Sequence, residues 1–288
     1  MAFLRQLGWE LFRMFARRRT WVGFTVFLLV EGLMLFFLTR DNAEAWFEKT
    51  ISRLASGGFD EYFSALTLAV MIVTLTTFLL STAFLALVAG DVVAKESEDG
   101  NLRLLLARPV SRLRILALKY VACLIYSATL FLVIGLSALA VGLVTRGWGG
   151  GLIVINVGGY DLLSQVAIYD WWPGMERYFL MLFGLWISSF PVFGAAFALS
   201  CLKIKPATAT IITIAYFIAD FIVWKSQLAA IEDYERWFLT PKMERYVLLL
   251  QQTIPWPTIL GNWATLLGIS LSFFVVGWAM FERRDVKS

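Results

Sequence analysis

The chain has 288 residues, of which 59% are hydrophobic and 16% charged, with a formal net charge of +4 and a mean hydropathy of +0.74. Ordinary soluble domains carry about 25% charged residues, so a chain this apolar has too little polar surface to face water and reads as an all-α polytopic membrane protein. It has no His and only two Cys, Cys123 and Cys201, which excludes the commonest general base, a disulfide framework and a Cys or His metal cluster.

The first element is residues 3–19, FLRQLGWELFRMFARRR. Phe3, Leu4, Leu7, Leu11 and Phe15 recur at helical spacing, and Arg5, Arg13, Arg17, Arg18 and Arg19 fill much of the rest. This pattern fits an amphipathic helix lying in the membrane interface. It also fits a basic flank that only fixes orientation. The apolar run that follows has about 18 residues and no small-residue cleavage site, so it reads as a retained span rather than a signal peptide.

Six apolar runs approach the roughly 20 residues needed to cross about 30 Å of hydrocarbon. They lie at 21–39, 62–89, 120–144, 178–200, 206–224 and 257–281, within a single transmembrane domain covering 1–288. The second, at about 1.5 Å per residue, is roughly 42 Å long and must tilt or project from the bilayer. Alternate connections carry sixteen and nine Lys and Arg. The richer set includes both termini, which places them in the cytoplasm. On the other side, residues 148–160 are Gly-rich and turn-prone, and Trp171, Trp172 and Tyr178 read as an interfacial aromatic belt. Residues 225–256 include MERYVLLLQQTIPW. That stretch reads either as short helices dipping into the outer leaflet or as a surface helix packed on the bundle.

Two acids fall inside spans, Glu31 and Asp220. Intramembrane carboxylates are costly and usually face the protein interior. Each is a candidate polar contact for substrate or subunit, or a locally paired structural group. Small residues in the fourth and sixth spans, among them Gly194, Gly261, Gly268 and Gly277, permit close helix packing.

Between the second and third spans lies GDVVAKESEDGNLRLLLARPVSRLRILALK, residues 90–119. Glu96, Glu98 and Asp99 precede Gly100. Asn101 is a good N-cap, and Leu102 to Arg108 continue as a short helix with a basic last turn. Pro109 ends it, and Ser111 caps a second helix that runs through Arg112 to Lys119. A loop that only supplied positive charge would need none of this capping.

The run E-x-E-x-G-x-L-x-x-L-L-x-x-P-V-S-R, with a lysine at the next span, resembles the signature loop of type-2 ABC exporter permeases. The matching positions are Glu96, Glu98, Gly100, Leu102, Leu105, Leu106, Pro109, Val110, Ser111, Arg112 and Lys119. The family commonly has Thr where this chain has Asn101, and often Gly where it has Leu118. The six spans, cytoplasmic termini and interfacial helix extend the likeness over nearly the whole chain.

The resemblance implies a coupling helix that docks on a separate ABC ATPase subunit, present in two copies, beneath a pair of permease chains in the plasma (inner) membrane. The pair is a homodimer or includes a sister permease. Leu102 and Leu105 are then expected to pack on the partner, within an ATPase-coupling set of Glu96, Glu98, Gly100, Asn101, Leu102, Leu105, Arg108, Pro109, Ser111, Arg112 and Lys119. Glu96, Glu98, Arg108 and Arg112 are expected to pair with charges at the rim of that contact. This chain has no phosphate loop of the G-x-x-x-x-G-K-[ST] form. ATP and Mg are therefore expected on the partner, with no catalytic residue, metal or cofactor here and no nucleic-acid partner. An alternative is a non-transporting scaffold that passes ATPase motion to an extracytoplasmic protein.

Overall fold

The computed structural model describes residues 2–40, 45, 48–49, 62–100, 111–154, 167–226 and 235–283. They form an all-α membrane protein with six helical spans, each long and apolar enough to cross a bilayer. Helix α1 (Ala2–Phe15) precedes the first span, α2 (Arg18–Leu38). The second and third spans are α3 (Ala65–Glu98) and α4 (Arg112–Arg146). A two-stranded antiparallel ribbon follows, β1 (Leu152–Val154) and β2 (Ala167–Tyr169). The fourth span is made of α5 (Trp171–Ser188) and α6 (Phe190–Ser200). The fifth is α7 (Pro206–Lys225). Short helix α8 (Thr240–Glu244) runs into a 3₁₀ turn, Arg245–Leu250, ahead of the sixth span, α9 (Trp256–Glu282).

Helices α3 and α4, of 34 and 35 residues, are each about 50 Å long and outreach the hydrocarbon at the ends that face each other in sequence. The hydrophobic runs stop at 89 and begin again at 120 because charge enters there. The helices do not stop, because nothing from Gly90 to Glu98 or from Arg112 to Lys119 breaks one. Ser64 starts α3 by accepting the Thr67 N–H at 3.4 Å, and Ser111 starts α4 by accepting the Arg114 N–H at 3.4 Å.

The fourth span begins at Trp171, not 178, since Trp171 and Trp172 belong to the helix itself. It breaks at Ser189, whose N–H reaches both Leu185 O and Trp186 O, and Pro191 opens the second half. Helices α3, α5 and α6 lie inside the bundle, while α2, α7 and α9 turn Leu28, Leu29, Phe36, Ile211, Ile222, Leu260 and Leu271 outward. At the α6–α9 crossing a β-carbon on Gly194 would stand 2.7 Å from Ser270 Oγ, and one on Gly277 3.0 Å from Ala198 Cα. Those two expected packing glycines are in close contact, whereas Gly261 and Gly268 face open space.

One end of the bundle, the base, gathers α1, the end of α3, the start of α4 and the end of α9. The opposite end, the crown, holds the ribbon and the 235–250 segment. Gly147, Gly149 and Gly150 take positive φ, as the Gly-rich stretch requires for its turns. Beyond them the chain forms β1, which is clamped to α3. Ser64 Oγ donates to Gly151 O at 2.7 Å, and Ile153 N–H donates to Thr67 Oγ1 at 3.1 Å. Residues 246–250 are buried against α5 rather than lying on its surface.

Candidate functional site

The site is built where the two ends of the 90–119 segment come together. In the last turn of α3, Lys95 faces outward and pairs with Glu98 at 2.8 Å and Asp99 at 3.2 Å. One residue on, Glu96 turns inward. Its Oε1 accepts from Lys119 Nζ at 2.6 Å, with the side chains 4% and 2% exposed. Lys119 sits two turns into α4, past the Ser111 cap. Glu96 and Lys119 therefore flank the 99–111 connection and fasten the bases of the two longest helices to each other.

Helix α1 completes the cluster. Lys119 Nζ also donates to Glu10 Oε2 at 3.2 Å, and Arg13 Nη1 donates to Glu96 Oε1 at 3.3 Å. Two carboxylates and two cations balance, which is what makes burial of the central pair tolerable. The apolar residues of α1 split between two faces. Leu7, Leu11, Met14 and Phe15 pack on the bundle, while Phe3 and Leu4 turn outward with Trp9 and Phe12. Glu10 lies on the inward face, at i+3 from Leu7 and i−4 from Met14.

Arg112 ties in the sixth span. Its Nη1 donates to Phe281 O at 3.1 Å and Glu282 O at 2.9 Å, and the guanidinium lies 5.9 Å from the Phe281 ring centroid. A cation at the C-terminus of α9 also complements the helix dipole.

Of the residues expected at the docking rim, Glu96 thus finds its counter-charge within this chain, Glu98 pairs with Lys95, and Arg112 meets backbone carbonyls. The physical reason is reach: α3 and α4 continue as rigid helices past the hydrocarbon, so these side chains face neighbouring helices. Gly100 follows the α3 cap with φ of 74°, a turn conformation. Asn101, Leu102, Leu105, Arg108 and Pro109 lie outside the described residues.

The two intramembrane acids are apart from this cluster and from each other. Asp220, near the crown end of α7, accepts from Leu239 N at 3.2 Å, Thr240 N at 2.7 Å and Thr240 Oγ1 at 2.6 Å. It caps α8 from another helix and holds the 235–250 segment in place. Arg177 supports the same segment by donating to Leu249 O and Gln252 O, and Asn262 by donating to Lys242 O. A β-carbon on Gly184 would lie 2.4 Å from Leu249 Cδ1 and 3.2 Å from Tyr246 Cβ, so the glycine lets the segment pack closely on α5. Burial, with the Glu244 carboxylate adding to it, pushes the Tyr246 phenol well above the usual tyrosine range. Glu31 is fully buried in α2; neither carboxylate oxygen makes a close hydrogen bond, and the Ser137 hydroxyl of α4 stands beside it.

Residue-level reading of the sequence missed Glu10 and Arg13. The available signal was a single acid, Glu10, within the apolar stripe of α1. Among the described residues no group of three His, Cys, Asp or Glu could hold a metal.

A family described as "Protein of unknown function (DUF2705)" matches residues 26–287. The chain belongs to the DUF2705 family. The match takes in Glu96, Lys119 and Arg112 but begins within α2, so α1, with Glu10 and Arg13, precedes it. A stretch of 72 residues is 35% identical to the uncharacterized protein YhcI of Bacillus subtilis (strain 168). It covers 25% of this chain and spans only 23% of that relative's length.

Proposed function

We propose that the chain is the membrane-spanning permease subunit of an ABC exporter, driven by a separate ATPase that docks on residues 101–110. In this reading the base faces the cytoplasm of a plasma (inner) membrane, two permease chains pair, and two ATPase subunits carry the ATP and Mg. The observation that carries it is the buried Glu96–Lys119 pair at 2.6 Å. A connection whose two ends are clamped together cannot take up a push by splaying its helices. Displacement of the docked segment is then passed along α3 and α4 as rigid levers, and Arg112 carries it to α9. A solvated loop would need no buried ions at its roots.

The test is a mild-detergent pull-down from native membranes, comparing wild type with Leu102→Asp/Leu105→Asp, with co-purifying protein and ATPase activity as readouts. A nucleotide-binding subunit that accompanies wild type and is lost from a monodisperse variant supports the reading. No ATPase with wild type, or equal retention by the variant, overturns it and turns attention to a non-transporting scaffold acting through the crown.

A further inference from the structure

Glu31 takes no part in the base cluster or in the joint at Asp220. Its carboxyl is fully buried where α2 leans on α4, and neither oxygen has a close donor among the described residues. The elements around it are poor in charge. Glu31 is the only ionisable side chain of α2 from Thr20 to Leu38, α3 has none from Ala65 to Gly90, and α4 has none from Ser127 to Thr145. On α5, Tyr178 lies within electrostatic reach, Glu176 is exposed, and Arg177 donates to Leu249 O and Gln252 O. The hydroxyls nearby, on Ser137 and Tyr178, have both committed their proton. Ser137 Oγ donates to Val133 O at 2.7 Å and Ile134 O at 3.0 Å, and Tyr178 Oη donates to Gly135 O at 2.7 Å. A hydroxyl carries one proton, so each has only lone pairs left to offer. A carboxylate, which only accepts, would meet acceptors. A carboxylic acid has a proton to donate, and the Ser137 oxygen stands beside it. An ionised, unpaired carboxylate in an apolar span would also lose its hydration with nothing in exchange.

We infer that Glu31 is a proton-binding site inside the bundle, occupied at neutral pH, with its O–H offered to the Ser137 oxygen. The proton belongs to the packed state. Where α2 moves off α4, water reaches the carboxyl and takes the proton. Closing that contact therefore takes a proton up, and opening it releases one.

The test is infrared difference spectroscopy on the full-length chain in nanodiscs, wild type minus Glu31→Gln, at neutral pH. The expected result is a protonated carboxyl C=O band that shifts to lower frequency in heavy water. Ser137→Ala should move that band to higher frequency without removing it, because the acid loses its acceptor and keeps its proton. Carboxylate bands in place of the acid band overturn the inference and mean that a counter-charge reaches Glu31 in the membrane. A second measurement follows the thermal midpoint from acidic to neutral pH. Above about 4.3, the ordinary glutamate value, the open state ionises while the packed state keeps its proton. Wild type should then lose stability relative to Glu31→Gln, by up to about tenfold in the folding equilibrium per pH unit. Parallel curves for the two proteins overturn the linkage between proton and packing. None of these outcomes depends on an ATPase, so they stand apart from the exporter reading.

Discussion

The base and the crown of the bundle both bury carboxylates, and Glu96 at the base and Asp220 at the crown are neutralised in different ways. The crown also buries Glu244, which pairs with Lys225 at 3.2 Å. At the base, Glu96 meets the Lys119 ammonium at 2.6 Å, with Glu10 and Arg13 around it. At the crown, Asp220 meets two backbone N–H groups and a hydroxyl, all from residues 239–240. The first arrangement joins side chains from three helices, so its energy depends on where those helices stand relative to one another. The second joins one side chain to one stretch of backbone and fixes a local fold. On the proposed exporter reading, a lever needs the first kind of joint, while an inserted segment needs the second.

The largest effect is expected from removing the lysine. Lys119→Ala leaves Glu96 and Glu10 facing each other with only the exposed Arg13 for balance. Breaking a buried pair from one side costs about 3–5 kcal/mol. The thermal midpoint in detergent should fall accordingly, and Lys119→Met/Glu96→Gln should recover part of the loss, because the orphaned charge goes too. A Lys119→Ala protein that melts with wild type would mean the base is solvated, and the contrast with the crown would collapse.

Asp220→Ala comes next. Three donors lose their acceptor, and unsatisfied buried groups cost about 1–3 kcal/mol each before relaxation. A net loss of about 3 kcal/mol is expected, with faster hydrogen exchange confined to residues 239–250. Thr240→Val removes one donor and should cost about 1 kcal/mol. Exchange that quickens equally at the base would show that the two joints are a single cooperative unit.

These contrasts were only partly legible in the sequence. The spans were, because roughly 20 apolar residues in a row have few alternatives. The end of α3 was not: hydropathy reports where lipid ends, and the helix runs on past the apolar run to Glu98. The start of α4 was legible, because Ser111 reads as an N-cap and does cap it. The Glu96–Lys119 pair was half visible, since both residues carry the family resemblance, but their being partners requires α3 and α4 to meet antiparallel at the base. Glu10 and Arg13 were invisible as partners because nothing local to α1 says which helix it lies on. Asp220 could be read as a costly acid. Its role as a cap for α8 depends on a connection that folds back into the bundle, and no periodicity in 225–256 encodes that.

A smaller effect tests how much of the base cluster is buried. Arg13 is half outside it, and exposed ion pairs contribute about 0.2–1 kcal/mol. Arg13→Gln should therefore lower the thermal midpoint slightly at low salt and not at all at high salt. A loss as large as that of Lys119→Ala, persisting in salt, would place Arg13 inside the joint rather than at its edge.

Glu31 sharpens the comparison from the other direction, as a buried acid with no counter-charge and no close backbone donor, beside only the Ser137 hydroxyl of α4. It lies in α2, between base and crown, and contributes to neither joint. An unpaired carboxylate in an apolar span is a cost rather than a support. Glu31→Gln keeps the shape and removes the capacity to ionise, so its thermal midpoint should equal or exceed that of wild type. A drop of more than about 1 kcal/mol would reveal a hydrogen-bond partner supplied in the membrane-assembled state. On the exporter reading proposed above, stability that holds while the activity of a co-purified ATPase falls would mean the acid is kept for work rather than for folding, which the Lys119 and Asp220 variants, by losing stability first, are unable to show.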